Sequence, residues 1–294
     1  MRCKLHLPVG SLFEGLIDWL KANVTGLFRF MSGILVAMVS GLGNILLYPP
    51  APVLIAIFAI VAWLLAGKKA AFFVAIGLLF CSALGLWTET IQTLALVIVA
   101  VIAALVIAIP FGILSGVNNP ARTILRPVVD LMQTMPAYVY FVPAIALFGL
   151  GIAPAVVTTL IFALPPALKL TNLGIRGVPK ELVEVGQAFG ATRGQALTKI
   201  QLPSALPSIM VGINQCIMFA LSMAVITGWI GAPGLGKLVW HSILYLKIGK
   251  GLEGGLAIVV IAMILDRISA SLGRKFERGF PKLEIRGMKF WKKS

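Results

Sequence analysis

Apolar runs long enough to cross a bilayer dominate the chain, and charged residues collect in the gaps between them. No charged side chain occurs from Leu131 to Leu168, from Ile200 to Gly236 or from Gly254 to Leu265, and Glu89 is the only one between Ala70 and Ala121. A bilayer crossing takes about 20 such residues. The runs lie at 53–66, 70–87, 91–115, 137–150, 152–168, 206–228 and 252–272, which predicts an all-α polytopic membrane protein of about seven transmembrane helices. Pro49, Pro50 and Pro52 form a hard break before the first of them. Upstream, Leu12, Phe13, Leu16, Ile17, Leu20 and Val24 recur at helical spacing among charges, the pattern of an amphipathic helix lying flat at an interface. Residues 31–47 are uncharged but short and interrupted by Ser40, Gly41, Gly43 and Asn44, so they fit either an interfacial helix or an eighth span.

Composition agrees. Hydrophobic residues make up 59% and charged residues 12%, and the mean hydropathy is +1.00, whereas soluble domains carry about 25% charged residues. The net charge of +15 is uneven: residues 273–294 hold eight Lys/Arg and two Glu. Without aromatic–basic interleaving or a DNA-binding motif, the excess points to positive-inside anchoring against anionic lipid and away from nucleic acid. Lys68 and Lys69, Arg122 and Arg126, the five Lys/Arg from Lys169 to Lys199, and the basic tail fall on one side of seven crossings, which makes that side the cytoplasm and puts the N-terminus outside. Lys237, Lys247 and Lys250 are exceptions in the outer 229–251 loop. Cys3, Cys81 and Cys216 share no short spacing, and His6 and His241 stand alone, so no metal or redox motif is available. Ten acids, most at span edges, offer no paired-carboxylate or triad chemistry, and the chain is not expected to be an enzyme.

The longest charged interval between spans runs from Gly177 to Pro207. Pro179 suits a first helical position, Glu181 suits the positive end of a helix dipole, and Gly190 suits a left-handed helix terminus. Thr192 and Gln195 read as a capping box that opens a second helix, and Pro203 limits how far that helix runs. Glu184, then Gly190, then nine residues to Ile200, with Leu202 and Pro203 following, resembles the EAA loop of bacterial ABC importer permeases. The pattern departs at its two alanines, where Val185 and Gly186 stand.

The resemblance covers roughly Trp87 to Gly273. Leu221-Ser222-Met223, Gly234-Leu235-Gly236 and Leu265-Asp266-Arg267 are similar to its glycine betaine/proline betaine branch. It implies the type I ABC importer transmembrane fold, with an interfacial segment at 1–50, peripheral helices at 51–85, a permease core at 86–272 and a cytoplasmic tail at 273–294. It also favours an interfacial 31–47. It implies that Glu184, Val185, Gly186, Gly190, Ile200, Leu202 and Pro203 couple to a separate cytoplasmic ATPase. The chain itself then binds no cofactor, ATP and Mg being held by that ATPase. The further partners implied are an extracytoplasmic substrate-binding protein and a second copy of the chain, in a bacterial inner membrane. The solute implied is a quaternary ammonium osmolyte, with an amino acid or sulfonate as the alternative.

Other positions admit two readings. Pro136, Pro143, Pro154, Pro165 and Pro166, with Gly149 and Gly151, describe broken helices, either as simple kinks or as the lining of a pathway. On the second reading Gln133, Thr134, Tyr138 and Tyr140, Thr158 and Thr159, and Asn214, Gln215, Ser222 and Thr227 face water. Gly231 to Lys237 imitates a Walker A spacing, but Leu238 replaces the required Ser/Thr, and a glycine-rich, partly re-entrant loop is expected there. Asp130 is expected to pair with Arg126 on one helix face, and Asp266 and Arg267 at a span end are expected to be a structural pair or snorkelling anchors in preference to a gate. Charge pairs in mid-span, the mark of an ion-coupled transporter, are not found.

Overall fold

A computed structural model describes residues 9–279, with side chains from 10 to 273. The segments 1–8 and 280–294, which include Cys3, His6 and most of the basic tail, lie outside the described residues. Every described element is helical: α1 Val9–Leu47, α2 Ala51–Ala66, α3 Lys68–Ala83, α4 Trp87–Val117, α5 Asn119–Thr134, α6 Phe141–Phe148, α7 Ile152–Arg176, α8 Lys180–Ala188, α9 Arg193–Ala196, α10 Leu202–Ile226, α11 Leu235–Leu244 and α12 Ile248–Gly279. Short 3-10 turns precede α6 and follow α10.

Five helical runs are long and apolar enough to cross a membrane: Gly10–Leu47, Trp87–Val117, Ile152–Arg176, Arg193–Ile230 and Ile248–Gly273. A sixth is the pair Asn119–Thr134 and Ala137–Phe148, bent by 110°. The expected spans at 53–66 and 70–87 form α2 and α3, of 16 residues each; at 1.5 Å per residue that is about 24 Å, short of a 30 Å hydrocarbon core. The expected breaks in the fourth and fifth spans reduce to one. The chain turns at Met135–Pro136, where Met135 is extended (ψ 132°), as a residue preceding proline prefers. Pro165 and Pro166 sit inside an unbroken α7.

The centre of the fold is α7, packed between α4 and α10 at short range because small residues line the seams. A Cβ on Gly112 of α4 would meet the Thr171 side chain at 2.6 Å, and one on Gly116 would meet Ile175 at 3.0 Å. On the other side of α7, a Cβ on Gly174 would meet Ser208 at 2.8 Å, and one on Gly212 of α10 would meet the Ala167 backbone at 3.2 Å. In lipid, where burial of apolar area gives helices no reason to associate, such close approach supplies the dispersion contact that holds them together. The core is accordingly rich in alanine: Ala95, Ala100, Ala104, Ala108, Ala155, Ala163, Ala167, Ala220 and Ala224 are all buried.

Polar side chains tie one end of α7 to α4 and α5. Asn172 donates to Ser115 Oγ at 2.7 Å, and Arg176 donates to Asn119 Oδ1 at 2.6 Å and to the Ser115 carbonyl at 3.2 Å. This is the end from which α8 and α9 project. Asp130 approaches Lys169 of α7 at 2.6 Å but its expected partner Arg126 only at 3.8 Å, so the bridge ties two helices instead of decorating one. The expected Asp266–Arg267 pair is also redistributed. Asp266 accepts from Asn214 of α10 at 3.0 Å, while the Arg267 guanidinium lies 4.1 Å from the centre of the Phe73 ring.

The two N-terminal patterns merge into one helix of 39 residues, about 57 Å long. Phe28 stacks edge-on against Phe148, at the end of α6 far from the α8–α9 loop, and Gly43 reaches Ala95 in the first turns of α4. α2 then starts at that same far end, since α3 returns to it and hands over to α4 through Gly85 and Leu86. Both ends of the 28–47 stretch thus touch the far end of the bundle. Leu12, Phe13, Leu16 and Trp19 are exposed along its first half.

Two measurements test this packing. With Cys3 replaced, Leu12→Cys is expected to react with an impermeant maleimide in intact cells; labelling only after lysis would show that α1 crosses. Gly112→Val is expected to destabilise the chain in nanodiscs by about 1–3 kcal/mol through overpacking against Thr171, read as a lowered Tm. Gly33→Val, with no atom within 4 Å of the added Cβ, serves as the control and is expected to leave Tm within about a degree of the parent.

Candidate coupling corner and far-end surface

The α8–α9 corner is built from local chemistry. Pro179 is the cap residue preceding α8, at φ −52° and ψ 132°, one place before its expected position, and Glu181 occupies the first turn. α8 ends in a Schellman closure: Gly190 takes φ +83°, its N–H donates to the Gln187 carbonyl at 2.9 Å, and the Ala191 N–H donates to Gly186 at 3.0 Å. Thr192 and Gln195 then form the expected capping box. The Gln195 N–H donates to Thr192 Oγ1 at 3.3 Å, and the Thr192 N–H donates to Gln195 Oε1 at 2.9 Å. The two helices touch where Gly186 lies directly against Ile200 Cδ1, with no room for a Cβ. An alanine at 186 would require the end of the Ile200 side chain to shift.

Pro203 does not stop the second helix. Residues 197–201 form a π turn in which the Leu202 N–H reaches back five residues to Leu197. The turn widens the helix ahead of the proline ring, so α9 runs into α10 as one continuous run from Arg193 to Ile230. Ile200, Leu202 and Pro203 are half-buried in this joint, whereas Glu184, Val185 and Gly190 are exposed. The structure adds a residue that the motif did not supply. Phe189, at the end of α8, is 89% exposed and lies one turn from Val185, which is 54% exposed, giving the corner an apolar tip. Its one sequence signal is an aromatic residue before a turn glycine in an otherwise polar loop.

The ten polar candidates of the spans divide. Tyr140 is buried, its hydroxyl donating to the Met132 carbonyl and its ring against Phe162. Thr227 is buried and donates to Ala224 at 2.8 Å. Thr158 and Thr159 are fully buried. Asn214 is committed to Asp266 and Ser269 of α12. Gln133 is exposed and accepts from Lys169, and Thr134 is exposed and donates to Leu131 at 3.0 Å. Gln215, Ser222 and Tyr138 are exposed. Gln215 and Ser222 are seven residues apart, and Trp229 continues their stripe seven residues on, so the three share one face of the α10 run.

The glycine-rich 231–237 segment makes no phosphate cradle. Gly228 and Gly236 meet backbone to backbone, and the Leu235 N–H donates to Thr93 Oγ1 of α4 at 2.8 Å. The loop is closed on itself and on α4, the protein cover that irregular backbone between spans requires.

Residues 108–279 match the sequence profile of binding-protein-dependent transport system inner membrane components. The chain is 43% identical over 275 residues to the glycine betaine transport system permease protein OpuAB of Bacillus subtilis, an alignment that covers 93% of this chain and 98% of that one. It is 42% identical to the glycine betaine/proline betaine transport system permease protein ProW of Escherichia coli, covering 92% of this chain and 77% of that one. In three dimensions it is similar to a chain of the inward-facing MetNI methionine ABC transporter, with a TM-score of 0.60 and 21% identity over 65% of this chain and 95% of that one. That likeness establishes the type I ABC importer fold seen here. The chain belongs to the binding-protein-dependent transport system inner membrane components, as a multi-pass permease.

Proposed function

We propose that this chain forms the membrane pathway of an ATP-driven importer for quaternary ammonium osmolytes, glycine betaine and proline betaine among them. It acts as a homodimer with two copies of a separate ATPase at the α8–α9 end and an extracytoplasmic binding protein at the far end, so that the α8–α9 end is cytoplasmic. The observation that carries the reading is the corner itself. A Schellman closure, a capping box and the Gly186–Ile200 contact fix its angle, and its exposed tip of Val185 and Phe189 suits insertion into an apolar groove. The solute class follows from the 43% identity to a glycine betaine permease along nearly the whole of both chains.

The corner explains how force enters the spans. Closure of the ATPase dimer, which holds ATP and Mg, displaces α8. Through Ile200 the displacement passes to the π turn and along α10, and through Pro179 and Gly177 to α7. Because α7 is clamped to α4 and α5 by Asn172 and Arg176, the unit swings as a body and the pathway opens toward the binding protein. Glu184, exposed on α8, supplies a polar contact at the groove rim.

Two variants test this reading. Gly190→Val places a β-branched residue at φ +83°, with a strain on the order of 1–3 kcal/mol confined to the corner. Expression and Tm are expected to hold while glycine betaine uptake falls by at least tenfold; normal uptake would remove the corner from the coupling pathway. Phe189→Ala is expected to weaken co-purification of the ATPase by roughly 10- to 100-fold, the range for loss of an aromatic anchor. Uptake of an amino acid or sulfonate by the native complex, without uptake of betaine, would reassign the solute.

A further inference from the structure

We infer that the exposed rings of Tyr138 and Trp229, backed by Phe141 and Trp240, form a cation–π station in the permease that takes the methylated nitrogen of the solute; this rests on the solute class proposed above. Tyr138, in the bend before α6, meets Trp229 at 6.2 Å between ring centres and 80° between planes. Trp229 in turn meets Trp240 of α11 at 6.4 Å and 81°. Phe141 closes the group at 6.0 Å from Tyr138 and 5.8 Å from Trp229. Near-perpendicular rings present walls, and the two that stay open are the electron-rich ones: Tyr138 is 58% and Trp229 47% exposed, while Phe141 is 1% exposed.

Two further observations favour a cationic solute over lipid as the occupant. The first is the company Trp229 keeps. Its stripe on α10 continues through Ser222 and Gln215, both exposed, with Met218 and Val211 exposed beside them on the same face. The outward face of α4, by contrast, presents Ile102, Val106, Ile107, Phe111 and Leu114, the composition of a surface that meets acyl chains. The second is the charge inventory. No Asp or Glu occurs from 131 to 180 or from 185 to 252, so the segments carrying all four rings hold no carboxylate of their own; Glu89 and Glu253 belong to the neighbouring α4 and α12, and Lys237 lies on α11 three residues from Trp240. A quaternary nitrogen has no N–H and makes no conventional hydrogen bond. The face of an indole or a phenol carries the negative potential to receive it.

The test uses the full transporter in nanodiscs, with glycine betaine and its carbon isostere 3,3-dimethylbutanoate, in which an uncharged quaternary carbon replaces the nitrogen, as probes. The chain is labelled with 5-fluorotryptophan, and the Trp229 resonance is identified by its loss in Trp229→Phe. Glycine betaine is expected to shift that resonance in a saturable way, and the isostere is not. Equal shifts from both probes, or none from betaine, overturn the station. In uptake assays Trp229→Ala and Tyr138→Ala are expected to lower betaine transport by roughly 3- to 30-fold, the range of an aromatic–cation contact, with binding-protein-stimulated ATP hydrolysis retained. Trp229→Phe is expected to restore most of the loss. Normal transport by both alanine variants overturns the station while leaving the solute class intact, whereas no betaine uptake by the native complex overturns the solute class itself.

Discussion

Everything in this bundle depends on how closely α7 approaches its two neighbours. In water a helix is held to its neighbours mainly by burying apolar area; in lipid that force is lost, and contact distance takes its place. Gly112 and Gly116 admit α4 to one side of α7, and Gly174 and Gly212 admit α10 to the other. The three helices then behave as one body. The polar ties of Asn172 and Arg176 to Ser115 and Asn119 fix the register of α7 against α4 and α5 at the end where the loop attaches. A loose bundle would absorb a push on α8 by sliding, and this one has no slack with which to slide.

The proline at 203 shows how backbone accounting shapes the lever. A proline beyond the first turn of an α-helix loses one hydrogen bond and crowds the carbonyl four residues earlier. Ending the helix there would leave further polar groups unsatisfied near the membrane surface. The π turn at 197–201 avoids both outcomes by widening the helix, so the carbonyl ahead of the ring moves out of its way. The corner and the span therefore become a single mechanical element. The Gly186–Ile200 contact lies at one end of it and Trp229 at the other.

What was legible in the sequence was what is decided locally. The left-handed Gly190 and the reciprocal bonds of Thr192 and Gln195 involve residues no more than five apart, and both appear as their spacing implies. Apolar runs located the helices, since hydropathy needs no partner. What was not legible has the opposite character. Asp130 keeps its expected pair with Arg126 but lies closer to Lys169, 39 positions on, and Asp266 bonds Asn214 of α10. The five prolines looked equivalent, yet only Pro136 marks a break, because Pro165 and Pro166 lie in a helix clamped on both flanks. The merging of two N-terminal patterns into α1 was equally hidden, since a change from amphipathic to apolar composition does not itself end a helix.

The ring group at the far end is the extreme case of chemistry that spacing conceals. Tyr138 comes from the bend before α6, Phe141 from the start of α6, Trp229 from the turn after α10 and Trp240 from α11, residues separated by up to 102 positions. They meet because two tight turns bring them together. Gly151 donates to the Ile230 carbonyl at 3.0 Å, pinning the α6–α7 turn to the end of α10, and the backbone contact of Gly228 with Gly236 folds α11 back onto the same place. Trp229 sits in the one segment that all of these contacts share, and that segment is the last turn of the lever. On the coupling proposed above, a rotation of α10 driven from Ile200 must either carry Trp229 past Tyr138 or break the turns that hold it. The turns are backbone against backbone and the rings are not, so the rings are the part free to change their spacing when the corner moves.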